Sequence, residues 1–276
     1  TLIRWAKLIQ PATLQTLLDH VTDLARQLNV TSGRKLRIDG TVVESNIHHP
    51  SDSTLLNDGV RVLTRVMRKA RRVAVDAVDW SQEQLEDAAT QAKAGMKRIM
   101  DVARQKGDAA ADALKTAYQE LVGLTQTVVD QARQTTDTLT TTANNAAQRW
   151  SDQLATMLPR VEQVIQQTTR RVLQGEQVPA PEKIVSLFEP HTAILRKGKP
   201  GKPVEFGRML WLDEVEGGII TRYRVLDGNP DEAAQVVPSV DAHIARFGHP
   251  PEVVAGDRGL QSAANERDLA QRKVAQ

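Results

Sequence analysis

The sequence contains no cysteine. That excludes disulfides, thiolate zinc sites and cysteine nucleophiles, and it fits a reducing compartment. Aromatic residues make up only 3% of the chain, too few for a stacking platform along single-stranded nucleic acid. No run reaches the roughly 18 apolar residues that a membrane-spanning helix needs, so no membrane partner is expected. GxSxG and P-loop patterns are missing too. What is present is an ordinary globular composition, 40% hydrophobic and 25% charged, with a net charge of only +2. That charge is unevenly spread: residues 1–75 hold 12 Lys/Arg against 6 Asp/Glu, and the remainder is slightly acidic. A local cationic excess suits a surface that meets a polyanion.

Hydrophobic periodicity divides the chain into three regions. In residues 1–34, a helical segment, Leu14, Leu17, Leu18, Val21, Leu24 and Ala25 form one apolar stripe. "KLRIDGTVVESNI" then reads as a strand, with Leu36, Ile38, Gly40 and Val42 on one side and Arg37, Asp39, Thr41 and Val43 on the other. Residues 55–183 read as an insertion of long helices. Leu56, Val60, Leu63, Met67, Ala70, Ala74 and Ala77 step by fours and threes, and so do Leu114 to Leu139, the period of packed helix pairs. "QKGD" marks a reversal between helices, and Pro159 is expected to kink or interrupt one. From 184 onward the period changes again. "TAILRKG", "VEFGRMLWLDE" and "GIITRYRVLDG" read as strands, the last two joined at "VEGG". A helix over "NPDEAAQVVPSVDAHIARFG", flawed at Pro238, a short strand "PEVVAGD" and a last helix follow. The expected fold is α/β with a large all-α insertion: 35–54 and 184–276 form one core, interrupted by 55–183.

Two aspartates stand out by position. Asp39 lies inside an apolar strand and Asp257 ends another. A carboxylate so placed must be paired, protonated or bound to a cation. If the strands are parallel neighbours, the two carboxylates converge into a hard oxygen pair suited to Mg²⁺ or Mn²⁺. By spacing alone a plainer reading stays open, with Asp39 preceding a Gly turn and Asp257 capping a turn. A second feature is "RVLTRVMRKARR". Arg61, Arg65, Arg68 and Arg72 form a stripe with Lys69 beside it, and apart from Asp76, four residues after Arg72, no acid stands at i±4 to partner them. Such a stripe either neutralises phosphates or is a solvated helix face. The adjacent His48 and His49 read as solvated loop residues.

"RIDGTVVESNIHHPSDSTLLNDGVRVLTR" closely resembles the first catalytic motif of bacterial insertion-sequence DDE transposases. "EKIVSLFEPHTAILRKGKP", "EFGRMLWLDE", "VLDGNPDE" and "VVAGDRGLQSAAN" resemble later stretches of the same group, in the same order. The resemblance covers about 35–75 and 180–270. It implies a ribonuclease H-like mixed sheet, incomplete at its C-terminal side, with Asp39 and Asp257 as the first two metal-binding catalytic acids. It further implies two Mg²⁺ or Mn²⁺ ions in the complete enzyme, and double-stranded DNA (transposon ends and target) as partner, with Arg61, Arg65, Arg68, Lys69 and Arg72 on its phosphates. A homodimer when complete, and a bacterial cytoplasmic, nucleoid-associated location, go with it. The third acid of that group, a Glu on a later helix, has no counterpart after Asp257: Glu266 and Asp268 stand too close. Both ends of the chain read as truncations. Two other readings stand beside the transposase: an inactive DNA-binding remnant of one, and a helical scaffold that self-associates.

Overall fold

A computed structural model of the chain describes residues 9–141, 145–199 and 201–274. Helix α1 (Pro11–Gln27) leads into strand β1 (Lys35–Glu44). Four long helices follow: α2 (Asp52–Arg71), α3 (Gln82–Val102), α4 (Asp108–Thr140) and α5 (Asn145–Thr168). Then come β2 (Ala193–Lys199), β3 (Lys202–Val215), β4 (Ile219–Leu226), α6 (Val236–Phe247), β5 (Val253–Ala255) and α7 (Ala263–Gln271). These elements separate into two units, one comprising Ser45–Ile194 and the other the chain on either side of it.

In the helical unit, α2 starts at a capping box, the Ser51 hydroxyl accepting from the Thr54 amide and Thr54 answering the Ser51 amide. A second box, Ser81 with Gln84, starts α3. Gly107, at φ 103°, allows the reversal into α4 expected at "QKGD". Leu56, Val60, Leu63, Met67 and Ala70 are wholly buried, as are Val128, Ala132 and Leu139, so both periodic seams are core. The first seam outlasts its helix: α2 ends at Arg71, and Ala77 is buried from a short 3₁₀ turn. Pro159 does not interrupt α5. Leu154 and Leu158 before it and Val161 and Val164 after it are all buried, and that packing offsets the lost backbone bond. Asp52, buried at the head of α2, is held by the guanidinium of Arg171, which donates from both Nε and Nη2 to Oδ2. The Gln167 side chain clips the following segment in place, accepting from the Ile184 amide (2.9 Å) and donating to the Ile184 carbonyl (3.2 Å).

The other unit is α/β, with a mixed sheet. β1 runs antiparallel to β3, with Asp39 opposite Leu212, and parallel to β5. β3 also pairs with β2 and, antiparallel, with β4. The β3–β4 turn is "VEGG" as expected, with Gly217 and Gly218 at φ 80° and 73°, where a side chain would be strained. Leu36, Ile38, Met209, Trp211 and Leu226 of the sheet pack with Val236 and Val240 of α6, and with Leu260 and Val274.

One expectation needs correcting here. Helix α6 begins only at Val236, after a 3₁₀ turn at Ala233–Gln235. Pro238 therefore falls in its first turn, where a missing amide proton leaves no bond unmade. The stripe of α1 is not a core face: Ala25 is buried and Leu18 half-buried, while Leu14, Leu17, Val21 and Leu24 are exposed. The helix docks on its own unit through Thr22 and Ala25 instead.

Candidate functional site

The alternation of β1 fixes where its aspartate goes. Leu36 and Ile38 are buried, so Arg37 and Asp39 project from the other face; Arg37 is exposed and Asp39 half-buried. Beside it, β5 matches β1 residue for residue: Lys35 with Val253, Leu36 with Val254, Arg37 with Ala255. The adjacency continues one step further. A Cβ built on Gly256 would lie 3.2 Å from both the carbonyl oxygen and Cγ1 of Ile38, and 2.6 Å from Leu260 Cδ1. Gly256 therefore sits against Ile38, and each of the two is followed by an aspartate. The described pairing of β1 with β5 ends at Arg37 and Ala255, and Gly256 and Asp257 follow it outside the strand.

Neither carboxylate is engaged by a side chain or an amide of the described residues. Asp257 is exposed and extended (φ −63°, ψ 150°) at the start of a 3₁₀ turn, where its carbonyl, not its side chain, accepts from the Leu260 amide at 2.9 Å. The plainer capping role for its carboxylate is thus not taken up. Carboxylates without such partners are oxygen donors of the type that suits a hard cation completed by water or phosphate oxygens. Among the described residues no group of three acidic, His or Cys side chains gathers as a cation cage. Glu266, which shares with Asp257 a cleft of about 260 Å³, accepts a hydrogen bond from Gln261 Nε2 at 2.8 Å.

Residues not singled out from the sequence also surround β1. The carboxyl carbon and Oε2 of Glu232 lie 3.2 Å from where a Cβ of Gly40 would stand, a close approach that glycine permits. Behind the sheet, Trp211 Nε1 donates to Ser239 Oγ (2.9 Å), which donates to Asp213 Oδ1 (2.7 Å). Arg222 reaches the Pro238 carbonyl (2.8 Å) and Asp213 Oδ2 (3.5 Å). Burial pushes the Asp213 carboxyl above its ordinary range, and the bonds from Ser239 and Arg222 pull it partly back. This network fastens α6 to β3, the strand beside Asp39. The one sequence signal for it is the alternation of Met209, Trp211 and Asp213 onto one face.

The basic stripe lies on α2. From Leu55 to Ala70 that helix is buried except at Asn57, Arg61, Arg65, Arg68 and Lys69, so four of its five open positions are cationic. The expectation that no acid partners these arginines does not hold for two of them. Asp58, three residues back, pairs with Arg61 at 2.8 Å and with His48 at 3.3 Å, and Glu86 of α3 reaches Arg68 at 3.4 Å. A search at i±4 sees neither a partner three residues away nor one on another helix. Lys69 stands over the Trp150 ring at 5.2 Å. Arg65 and Arg72 are exposed and engage no acid among the described residues.

No family model, no curated protein and no solved structure matches this chain.

Proposed function

We propose that the chain carries the two strand-borne acids of a DDE-type transposase with a ribonuclease H-like core, acting on double-stranded DNA. The observation that carries this reading is the packing of Gly256 against Ile38, the residues that directly precede Asp257 and Asp39. A mixed sheet whose first strand lies between an antiparallel and a parallel neighbour supports it, as do the unengaged carboxylates. Asp39 and Asp257 would hold the Mg²⁺ or Mn²⁺. Such an ion supplies positive charge that lowers the pKa of a bound water or 3′-hydroxyl and steadies a leaving oxygen. The aspartates' own part is to bind and orient it, and Arg65 and Arg72 offer free charge to phosphates. A second reading, DNA binding without catalysis, is favoured by the lack of a third ligand beside the pair among the described residues.

Localised oxidative cleavage tests the reading. With Fe²⁺ in place of Mg²⁺, ascorbate and air, hydroxyl radicals made at the ion cut the nearest backbone. Cuts should cluster near residues 39 and 257 together and fade with excess Mg²⁺. Cuts elsewhere, or at one aspartate only, would remove the paired site.

A further inference from the structure

Helix α1 is held against α6. Arg246 of α6 donates to the Asp19 carbonyl (2.6 Å) and to Asp23 (2.9 Å), while Arg26 donates to the Arg246 carbonyl (3.2 Å). These two helices and β4 enclose a cavity of about 440 Å³, whose walls include Arg222, Arg224, Arg246, His243, Asp19 and Asp213. In the strand register Arg222 stands opposite Asp213 and Arg224 opposite Trp211, on the side of the sheet that packs on α6. Asp39 projects from the other side.

Three guanidinium groups thus share one cavity with two carboxylates. Both carboxylates are already engaged. Asp213 accepts from Ser239 at 2.7 Å and from Arg222 at 3.5 Å, and Asp19 accepts from the Gln15 amide at 3.1 Å. Arg224 is half-buried and engages no acid among the described residues, so positive charge is left over. Two polar atoms of the lining side chains are also buried without a hydrogen-bond partner among the described residues: Nε of Arg246, a donor, and Nδ1 of His243. The second His243 nitrogen, Nε2, donates to the Gly33 carbonyl at 2.8 Å. Burial favours the neutral ring, so Nδ1 is an acceptor. Orphaned donors and acceptors are rare in native interiors, and a bound ion is one of the things that relieves them.

We propose that this cavity binds inorganic phosphate in its hydrogen-bearing form, with Arg224 and Arg246 donating to its oxygens and its O–H donating to His243. Guanidinium groups suit oxyanions in general, and the acceptor decides between them. At neutral pH inorganic phosphate keeps an O–H, whereas sulfate keeps none. The size of the cavity selects a free ion over a duplex, which is far too wide to enter. No residue of this site belongs to the Asp39 and Asp257 pair or to the α2 stripe, so it stands or falls apart from the transposase reading.

Calorimetry with inorganic phosphate, in EDTA so that no cation on the aspartates can hold it, should show one saturable site. Sulfate should bind at least ~10-fold more weakly, having nothing to donate. Arg224→Gln should weaken phosphate at least ~10-fold while the phosphate-free protein melts as the parent does, and Arg65→Gln with Arg72→Gln should leave binding unchanged. In nitrogen NMR, phosphate should move the Nδ1 signal of His243, and a short duplex at the same total phosphate should not. Absence of saturable binding would overturn the proposal. So would sulfate binding as tightly as phosphate, an Arg224→Gln variant that binds as the parent does, or a His243 signal that moves with the duplex and not with phosphate.

Discussion

Replacing Ser239 by alanine removes one hydroxyl from the joint between α6 and β3. That hydroxyl accepts from Trp211 and donates to Asp213, and all three residues are at most 2% exposed. The variant leaves an indole N–H and a carboxylate oxygen buried without this partner. Each orphaned group costs about 1–3 kcal/mol, and Asp213 keeps Arg222 on its other oxygen, so the expected loss at neutral pH is about 3 kcal/mol. The loss should also depend on pH. Burial holds the Asp213 carboxyl above its ordinary range, so the folded state binds this proton more tightly than the unfolded state. Its contribution is fully present at low pH and falls as pH rises from the ordinary carboxylate range through the folded value. The Ser239 bond opposes that fall, and without it the fall is steeper. The variant's deficit should therefore be smaller at pH 4 than at pH 7. Native-state hydrogen exchange at the β3 amides measures both. A deficit below about 1 kcal/mol at pH 7, or one equal at the two pH values, would refute the argument.

Other substitutions probe separate parts of the account. Gly33→Ala should destabilise the α/β unit by about 2 kcal/mol or more, since Gly33 has φ +72° and a Cβ there would overlap the Phe247 ring. Gly123→Ala, mid-helix in α4 with open space around the new methyl, should stabilise the helical unit by about 0.5–1 kcal/mol. Thermal melts read both. Arg171→Met leaves the buried Asp52 with the Gln167 amide at 3.4 Å and should cost about 2–3 kcal/mol, less than a fully buried pair because Arg171 is half exposed. Adding Asp52→Asn should recover part of that loss. For DNA, Arg65→Gln with Arg72→Gln should lower the slope of log K against log salt by about 1.8, at about 0.9 per phosphate contact. Extending the change to Arg61 and Arg68, which already hold acids, should add less than the same again. An unchanged slope would make the stripe a solvated helix face.

Local pattern carried much of this structure. Period two in β1 is enough to send Ile38 inward and Asp39 outward, because a strand has only two faces. The threes and fours of Leu56 to Ala70 and of Tyr118 to Leu139 are buried along their length, and the Gly217–Gly218 turn needs no information beyond its own residues. What the sequence hides is partnership at a distance. Glu86 on Arg68, Arg171 on Asp52 and Glu232 against Gly40 join residues far apart in the chain. A stripe of leucines says that something apolar covers a helix, but not whether the cover belongs to the same fold. Asp39 and Asp257 stand out by position in the sequence, whereas the contact of Gly256 with Ile38 joins residues more than 200 positions apart.

The pairing of those two aspartates is tested most directly by Mn²⁺ binding, followed by the loss of the free-ion paramagnetic resonance signal. The chain should bind Mn²⁺ in competition with Mg²⁺. Asp39→Asn and Asp257→Asn should each weaken binding by at least ~10-fold, and the double variant little further, because one site has then already been lost. Neither side chain has a partner among the described residues, so the variants should melt as the parent does. Single variants that bind as the parent does, or losses that multiply as for independent sites, would contradict a shared metal centre.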